Sequence, residues 1–215
     1  MKRAVVGITG AALAALLGLV PADALGQLFL ASGQTTSDGP GSDGDVRAGV
    51  PLAYTDNGDG TITDDNTGLM WEKKDDSGGI HDRHNRYKWG RNGQPYSMNG
   101  SMVTEFLATL NTPPCFAGYC DWRIPNVREL HTLVDFEIPA PGPVVNAAFH
   151  NQAGCAGCTD VTLASCSCTA ASRYWSSTTV RYHNSWAWYF HFNGGGIGYH
   201  DKFASMAVRA VRGGL

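Results

Sequence analysis

The sequence predicts an α+β domain in which two helices and small antiparallel sheets are joined by long disulfide-bonded loops. Three observations predict it. Residues 185–193 alternate large apolar side chains with others at period two, the mark of a strand with one buried face. Two stretches, Ser97–Leu110 and Val127–Val134, repeat apolar residues at helical spacing. The chain also holds six cysteines, an even count suited to bridges.

The strand comes first. Trp186, Trp188, Phe190 and Phe192 fall on one side, and Ala187, Tyr189, His191 and Asn193 on the other. The four large aromatics are assigned to the core, because burying each removes about 150–250 Å² from water. Asn193–Gly196 breaks the run. Ala204–Val211 has strand character again, so the expectation is a hairpin between these two runs. Its outer face and loops offer Arg181, Tyr182, His183, Asn184, Tyr189, His191, Asn193, Tyr199, His200, Asp201 and Lys202 as ligand contacts. Tyr and His combine a flat apolar body with a hydrogen-bonding tip, which suits sugars and protein epitopes.

Residues 1–24 have the form of an export signal. Lys2 and Arg3 precede the apolar run Val5–Val20, and Ala22-Asp23-Ala24 offers a small-x-small cleavage site. No membrane span is expected after cleavage, and the destination is the periplasm, the medium or the cell surface. Without these residues the chain keeps 14 basic and 18 acidic residues, a charge of −4. That excludes a nucleic-acid binder that works through its whole surface. Residues 25–50 are rich in Gly, Ser, Thr and Asp and are expected to form a flexible linker. The domain then spans residues 51–215.

Within it, Asn57-Gly58 and Asp59-Gly60 are turn dipeptides flanked by strand-like residues, so 54–64 is expected to form a hairpin. The alternative is a calcium loop over Asp56–Asp65. Thr55 and Asn66 occupy places where such a loop needs acids, so no cofactor is expected. Leu69 and Trp71 share one face of the next strand. Arg83, Arg86, Lys88 and Arg91 lie in a polar stretch with His81 and His84. A solvated loop is the plainer reading, and a patch for an acidic polymer is the other. Pro113-Pro114 ends the first helix. Asn126 is an N-cap for the second, with Glu129 at its third position. Arg123 and Glu129 are expected to form a bidentate pair with a structural role.

Cys115 and Cys120 are expected to clasp a short loop. A ring between Cys166 and Cys168 is too small, so these two cross to Cys155 and Cys158 in an order the sequence leaves open. The alternative is a four-cysteine zinc site built from C-x2-C and C-x-C. Asn151–Ser172 carries little apolar area and depends on such bonds, each typically worth about 2–4 kcal/mol.

Catalysis is not expected. Ser176, Ser177, His191 and Asp201 can be imagined as a hydrolytic set, but neither G-x-S-x-G nor H-E-x-x-H occurs. A binding domain for a glycan or protein ligand is the first expectation. A structural envelope component acting through homo- or hetero-oligomer contacts is the second.

Several motifs align with one family. They are Asp56–Asp64 (DNGDGTITD), Thr67–Trp71 (TGLMW), Asp121–Pro125 (DWRIP), Arg128–Leu130, Tyr174–Ser177 (YWSS) and Val208–Arg212 (VRAVR). In this order the chain resembles the C-terminal domain family of the Legionella collagen-like adhesin. The resemblance implies a C-type-lectin-like fold with two helices and small twisted antiparallel sheets. It also implies adhesion through carbohydrate binding. In similar variable binding domains the changes concentrate on the hairpin that matches Arg181–Lys202. The four-cysteine insert is not part of the family's core pattern.

Overall fold

Asn57-Gly58 and Asp59-Gly60 turn the chain between β1 (Tyr54–Asp56) and β2 (Thr61–Asp64) in a computed structural model. The structure describes residues 29–213, apart from 92, 93, 95, 96 and 152. The expected export signal and the first four residues of the linker lie outside the described residues. The turn carboxylates are engaged within the fold. Asp56 Oδ1 accepts the Gly58 N–H (2.9 Å), and Asp59 Oδ1 accepts the N–H and hydroxyl of Thr61 (3.0 and 2.6 Å). Lys73 Nζ donates to Asp56 Oδ2 at 2.6 Å. The stretch is therefore a hairpin closed by its own side chains.

β3 (Met70–Glu72) pairs with β2 on one side and β9 (Val211–Arg212) on the other, giving an antiparallel sheet ordered β1-β2-β3-β9. A second antiparallel sheet is ordered β5 (Arg173–Thr179), β6 (Trp186–His191), β7 (Gly196–Asp201). A two-stranded ribbon joins β4 (Tyr87–Lys88) to β8 (Ser205–Met206).

The hairpin partner of β6 is β7, not the expected Ala204–Val211. The turn over residues 192–195 is tight, Gly195 takes φ +72°, and pairing resumes at once with His191 opposite Gly196. A Cβ on Gly195 would lie 2.8 Å from the Phe136 ring, so the turn needs glycine twice over. Residues 204–211 instead thread between the sheets. They pair with β4, bridge Tyr174 through Ala207, and end beside β3. Ala207, Val208, Ala210 and Val211 are all buried, which suits a central position better than a hairpin edge.

The core is double. One cluster gathers Ile62, Leu69, Trp71, Leu130, Phe149, Tyr174, Phe190, Phe192 and Val211. The other gathers Trp89, Met102, Phe106, Trp122, Trp175, Ala187, Val208 and Ala210. Neighbouring residues divide between them: Tyr174 and Trp175, Ala210 and Val211. Strand alternation sends successive side chains to opposite faces, so β5 and the chain into β9 form the wall between the two cores.

A buried ionic knot crosses this wall. Glu72 accepts Lys74 Nζ (2.8 Å) and faces His81 Nδ1 (2.7 Å) through Oε1, and it accepts the Ala210 N–H (2.9 Å) through Oε2. Arg209 donates to the Glu72 carbonyl (3.1 Å), the Cys168 carbonyl (2.8 Å) and Thr169 Oγ1 (2.8 Å). Glu72, Lys74 and Arg209 are 0–1 % exposed. Burial alone would raise the Glu72 pKa, but Lys74 and His81 hold it below the usual carboxylate range.

Residues 29–50 differ from the flexible linker expected of them. Leu30 and Val50 form a parallel bridge, and α1 (Asp43–Val46) turns the chain between them. Phe136 N–H donates to the Ser32 carbonyl (2.9 Å), and Thr35 and Thr36 donate to Glu137. Composition hid this because the arm is held by polar caps and turns, with little apolar burial.

The first helix starts later than expected. Met102–Leu107 is wound as a π-helix and runs into α2 (Ala108–Leu110). The second, α3 (Val127–His131), is shorter than its apolar stripe, although Leu133 and Val134 stay buried beyond its end. Its capping box is complete, with Asn126 accepting the Glu129 N–H and Glu129 accepting the Asn126 N–H. Arg123 grips Glu129 at 2.8 and 2.7 Å, as expected. The disulfides are Cys115–Cys120, Cys155–Cys168 and Cys158–Cys166.

This packing ties stability to two features, the ionic knot and the half-buried imidazoles. Glu72→Ala strands buried cations, so urea denaturation is expected to show a loss of about 3–5 kcal/mol. A change below 1 kcal/mol would show that the knot is not a stabilising unit. The second concerns pH. Burial, reinforced by Arg83 and Arg209, lowers the His150 pKa; burial and then Arg173 lower that of His191. Burial thus disfavours the charged ring at both sites, and His150 Nδ1 accepts the Thr169 N–H at 3.3 Å, a role open only to the neutral ring. Their contribution is full above the unfolded value near 6.5 and is lost as pH falls through the lower folded value. The urea midpoint is expected to fall between pH 7 and pH 5, and His150→Gln to reduce that fall. A flat midpoint in the wild-type protein would contradict it.

Candidate ligand-binding face

The register of β6 against β7 defines the candidate site. Trp186 lies opposite Asp201, Trp188 opposite Tyr199, and Phe190 opposite Ile197. Directly opposed residues share a face. At one end of this face Phe190 is fully buried, with the His131 ring of α3 stacked on it at 5.6 Å. Beyond the reach of α3 the face is open. Trp186 and Trp188 are partly exposed, and Tyr199 is 41 % exposed.

The loop between β5 and β6 extends the face. His183 stacks on Trp186 at 4.6 Å, and Trp186 lies 5.3 Å from Tyr199. Trp188 meets Tyr199 edge-on at 5.2 Å, and Tyr182 meets it edge-on at 6.3 Å. Five rings thus touch in a continuous series, with Tyr182 the most exposed at 73 %. Arg181 and Asn184 are exposed in the same loop, and Asp201 sits across from Trp186.

The opposite face packs inward. Ala187 is 0 % exposed within the second core. Tyr189 packs against that core, with the Arg173 guanidinium 5.2 Å over its ring. The ring lies across Gly198, where a Cβ would come within 2.4 Å of the Tyr189 hydroxyl. Glycine at 198 is what lets Tyr189 lie flat on β7.

The expected faces were therefore assigned the wrong way round at this end of the strand. Trp186 and Trp188, expected in the core, lie on the open face. Tyr189 and His191, expected as contacts, lie on the inward face and are partly buried. His200 shares the Tyr189 side but is exposed, since it pairs with Ala187 at the strand edge. Asn193 sits in the turn at the far end of the hairpin from Trp186. Lys202, also expected as a contact, is wholly buried. Its ammonium donates to Thr179 Oγ1 (3.0 Å) and the Asn184 carbonyl (2.7 Å) and lies 3.9 Å from the Trp89 ring. Burial pushes its pKa down. Lys202 holds the loop that carries Tyr182 and His183. Of the expected contacts, Arg181, Tyr182, His183, Asn184, Tyr199 and Asp201 come together.

The imagined hydrolytic set does not assemble. The Ser176 hydroxyl donates to the Trp188 carbonyl (2.7 Å) and the Ser177 hydroxyl to the Pro125 carbonyl (3.2 Å). His191 pairs with Gly196 and Asp201 with Trp186, at opposite ends of the hairpin.

The two faces make opposite predictions. Trp188→Ala is expected to leave thermal unfolding near the wild-type temperature. Ala187→Leu overfills the second core and is expected to cost about 1–3 kcal/mol. Calorimetry showing the reverse order would mean that the buried face is the tryptophan face.

No curated protein sequence matches the chain. The family model of the Lcl C-terminal domain matches residues 60–212, the span that runs from the first hairpin through β9 and contains both cores and the aromatic face. The chain belongs to the Lcl C-terminal domain family.

Proposed function

We propose that this protein is an exported, non-catalytic binding domain that recognises a polysaccharide through the open face of the β6–β7 hairpin. The series of touching rings from Tyr182 through Tyr199 to Trp186, Trp188 and His183 carries this reading. Aromatic rings offer a flat apolar surface to the C–H face of a sugar ring, while Tyr hydroxyls and indole N–H groups can bond its hydroxyls. Arg181, Asn184 and Asp201 supply a polar rim. The rings need little reorganisation, because the strand pairing and the Lys202 anchor fix their backbone. The three disulfides suit an oxidising compartment, in agreement with export.

A glycan array that includes sulfated polymers tests the reading. The protein is expected to bind, and the Trp188→Ala/Tyr199→Ala double variant to lose at least tenfold in affinity while keeping its melting temperature. Binding is expected to survive a calcium chelator, since Asp56 and Asp59 are already engaged within the turn. A folded double variant with unchanged affinity would remove this face from the site. A blank array from folded protein would reject the glycan reading in favour of a protein ligand.

A further inference from the structure

The four cysteines of the 151–172 insert form a cluster of their own. Cys155, Cys158, Cys166 and Cys168 are each 0–1 % exposed and touch one another, separate from both apolar cores. We propose that these four side chains form a tetrahedral zinc site when their two disulfides are reduced.

Spacing is the first argument. C-x2-C and C-x-C each deliver two sulfurs from one short loop, and a tetrahedral thiolate site needs two such pairs facing each other. The Cys158 N–H donates to the Cys155 carbonyl (3.2 Å), which closes the first loop into a turn. The facing pairs have Cα separations of 5.9 Å (155 to 168) and 4.8 Å (158 to 166). With Zn–S bonds of about 2.3 Å, tetrahedral sulfurs stand about 3.8 Å apart. Side-chain rotation reaches that distance from these Cα positions.

The second argument is that hydrogen bonds, as well as the bridges, hold the cluster to the protein. The Cys168 N–H donates to the Lys74 carbonyl (2.7 Å), and Arg209 donates to the Cys168 carbonyl (2.8 Å). The Asp76 N–H donates to the Cys158 carbonyl (2.8 Å). Asn151 and Ser167 exchange two bonds, both 3.1 Å, across the C-x-C segment. Arg83 donates to the Gly154 carbonyl at 3.1 Å, beside Cys155. Each half of the site is thus tied to the protein body by bonds that reduction leaves intact.

Charge is the third. Four thiolates around one Zn²⁺ carry −2, and the Arg209 and Arg83 guanidinium groups border the cluster through the Cys168 and Gly154 carbonyls. Two buried donors there have no partner among the described residues: Arg209 Nε and Ser167 Oγ, the latter between Cys166 and Cys168. Thiolates would supply acceptors for such donors, in the way outer groups support metal ligands. The balance is simple. A phosphine gives each disulfide two electrons and is oxidised to the phosphine oxide with the oxygen of one water, whose two protons go to the sulfurs, so that two equivalents give four thiols in all. Zinc then binds as four protons leave.

The test uses the purified, disulfide-bonded protein, reduced with a water-soluble phosphine in the presence of Zn²⁺ and then desalted. One retained zinc per chain is expected, with the near-ultraviolet circular dichroism of the folded protein preserved. Co²⁺ in its place is expected to give the intense visible bands of tetrahedral cobalt and the charge-transfer absorption of four thiolates. Cys115→Ser/Cys120→Ser is expected to keep the metal, and Cys158→Ser/Cys166→Ser to lose it. No retained metal, a cobalt spectrum with fewer than four thiolates, or metal held only by protein that has lost its folded dichroism would each overturn the proposal. The cobalt spectrum of the unsubstituted protein decides the matter even if a variant fails to fold.

Discussion

The buried carboxylate of Glu72 is the constraint on which the rest depends. A lone ionised carboxylate in an apolar interior is penalised by several kcal/mol. Glu72 is tolerated because donors reach it from three separate places: Lys74 two residues on, His81 in the following loop, and the Ala210 N–H far along the chain. The Glu72 main chain also pairs with Ala210 and receives Arg209. The carboxylate is satisfied only when β3, the 73–82 loop and the approach to β9 are all in place. Misplacing any one leaves a buried charge short of a partner, which is a strong penalty against alternative packings.

The same logic runs through the motifs that mark the family. Asp121 binds Arg212, Arg123 binds Glu129, and Arg209 reaches the Cys168 carbonyl and the Glu72 main chain. Each pair joins segments distant in sequence, or a strand end to a helix start. Arg212 is also 3.8 Å from the Tyr119 ring. Planar guanidinium groups suit these positions because they make several directed bonds while stacking on rings, which a lysine cannot reproduce. The motifs are therefore mainly scaffold. They hold two cores against a shared wall and leave the β5–β6 loop and the β6–β7 face free of structural ion pairs of that kind.

What was legible in the sequence was local. The Asn57–Gly60 turn, the Asn126 capping box, the Arg123–Glu129 pair and the crossing of Cys155 and Cys158 to Cys166 and Cys168 all follow from residues whose bonding options are few. The aromatic strand was legible as a strand. Which of its faces is buried was not, because period-two alternation separates two faces without naming the inner one. Here the answer changes along the strand. Phe190 is covered by α3, while Trp186 and Trp188, on the same side, run past the helix. Lys202 was misread for a related reason. A lysine in a polar loop is ordinarily solvated, and only the tertiary meeting of Trp89, Thr179 and the Asn184 carbonyl gives its ammonium a buried place.

Seen this way, the tryptophans of β6 are the informative departure from good packing. A strand with Ala187 inward and Trp186 and Trp188 outward puts its smallest residue in the core and its largest on a partly exposed face. Core packing gives no reason for that order. The rings are held rigidly from below by the β6–β7 ladder, from the side by Tyr199, and at the loop by His183, whose backbone hangs from Lys202 through Asn184. In the proposed function, partly exposed rings on a stiff support would keep apolar area for a partner at little ordering cost. The buried lysine and the glycine under Tyr189 make sense in the same terms. Lys202 ties down the loop without placing a charge in the face, and Gly198 lets Tyr189 lie flat so that β7 can present Tyr199 on the other side. Both features serve the presentation of the aromatic series more directly than they serve either core.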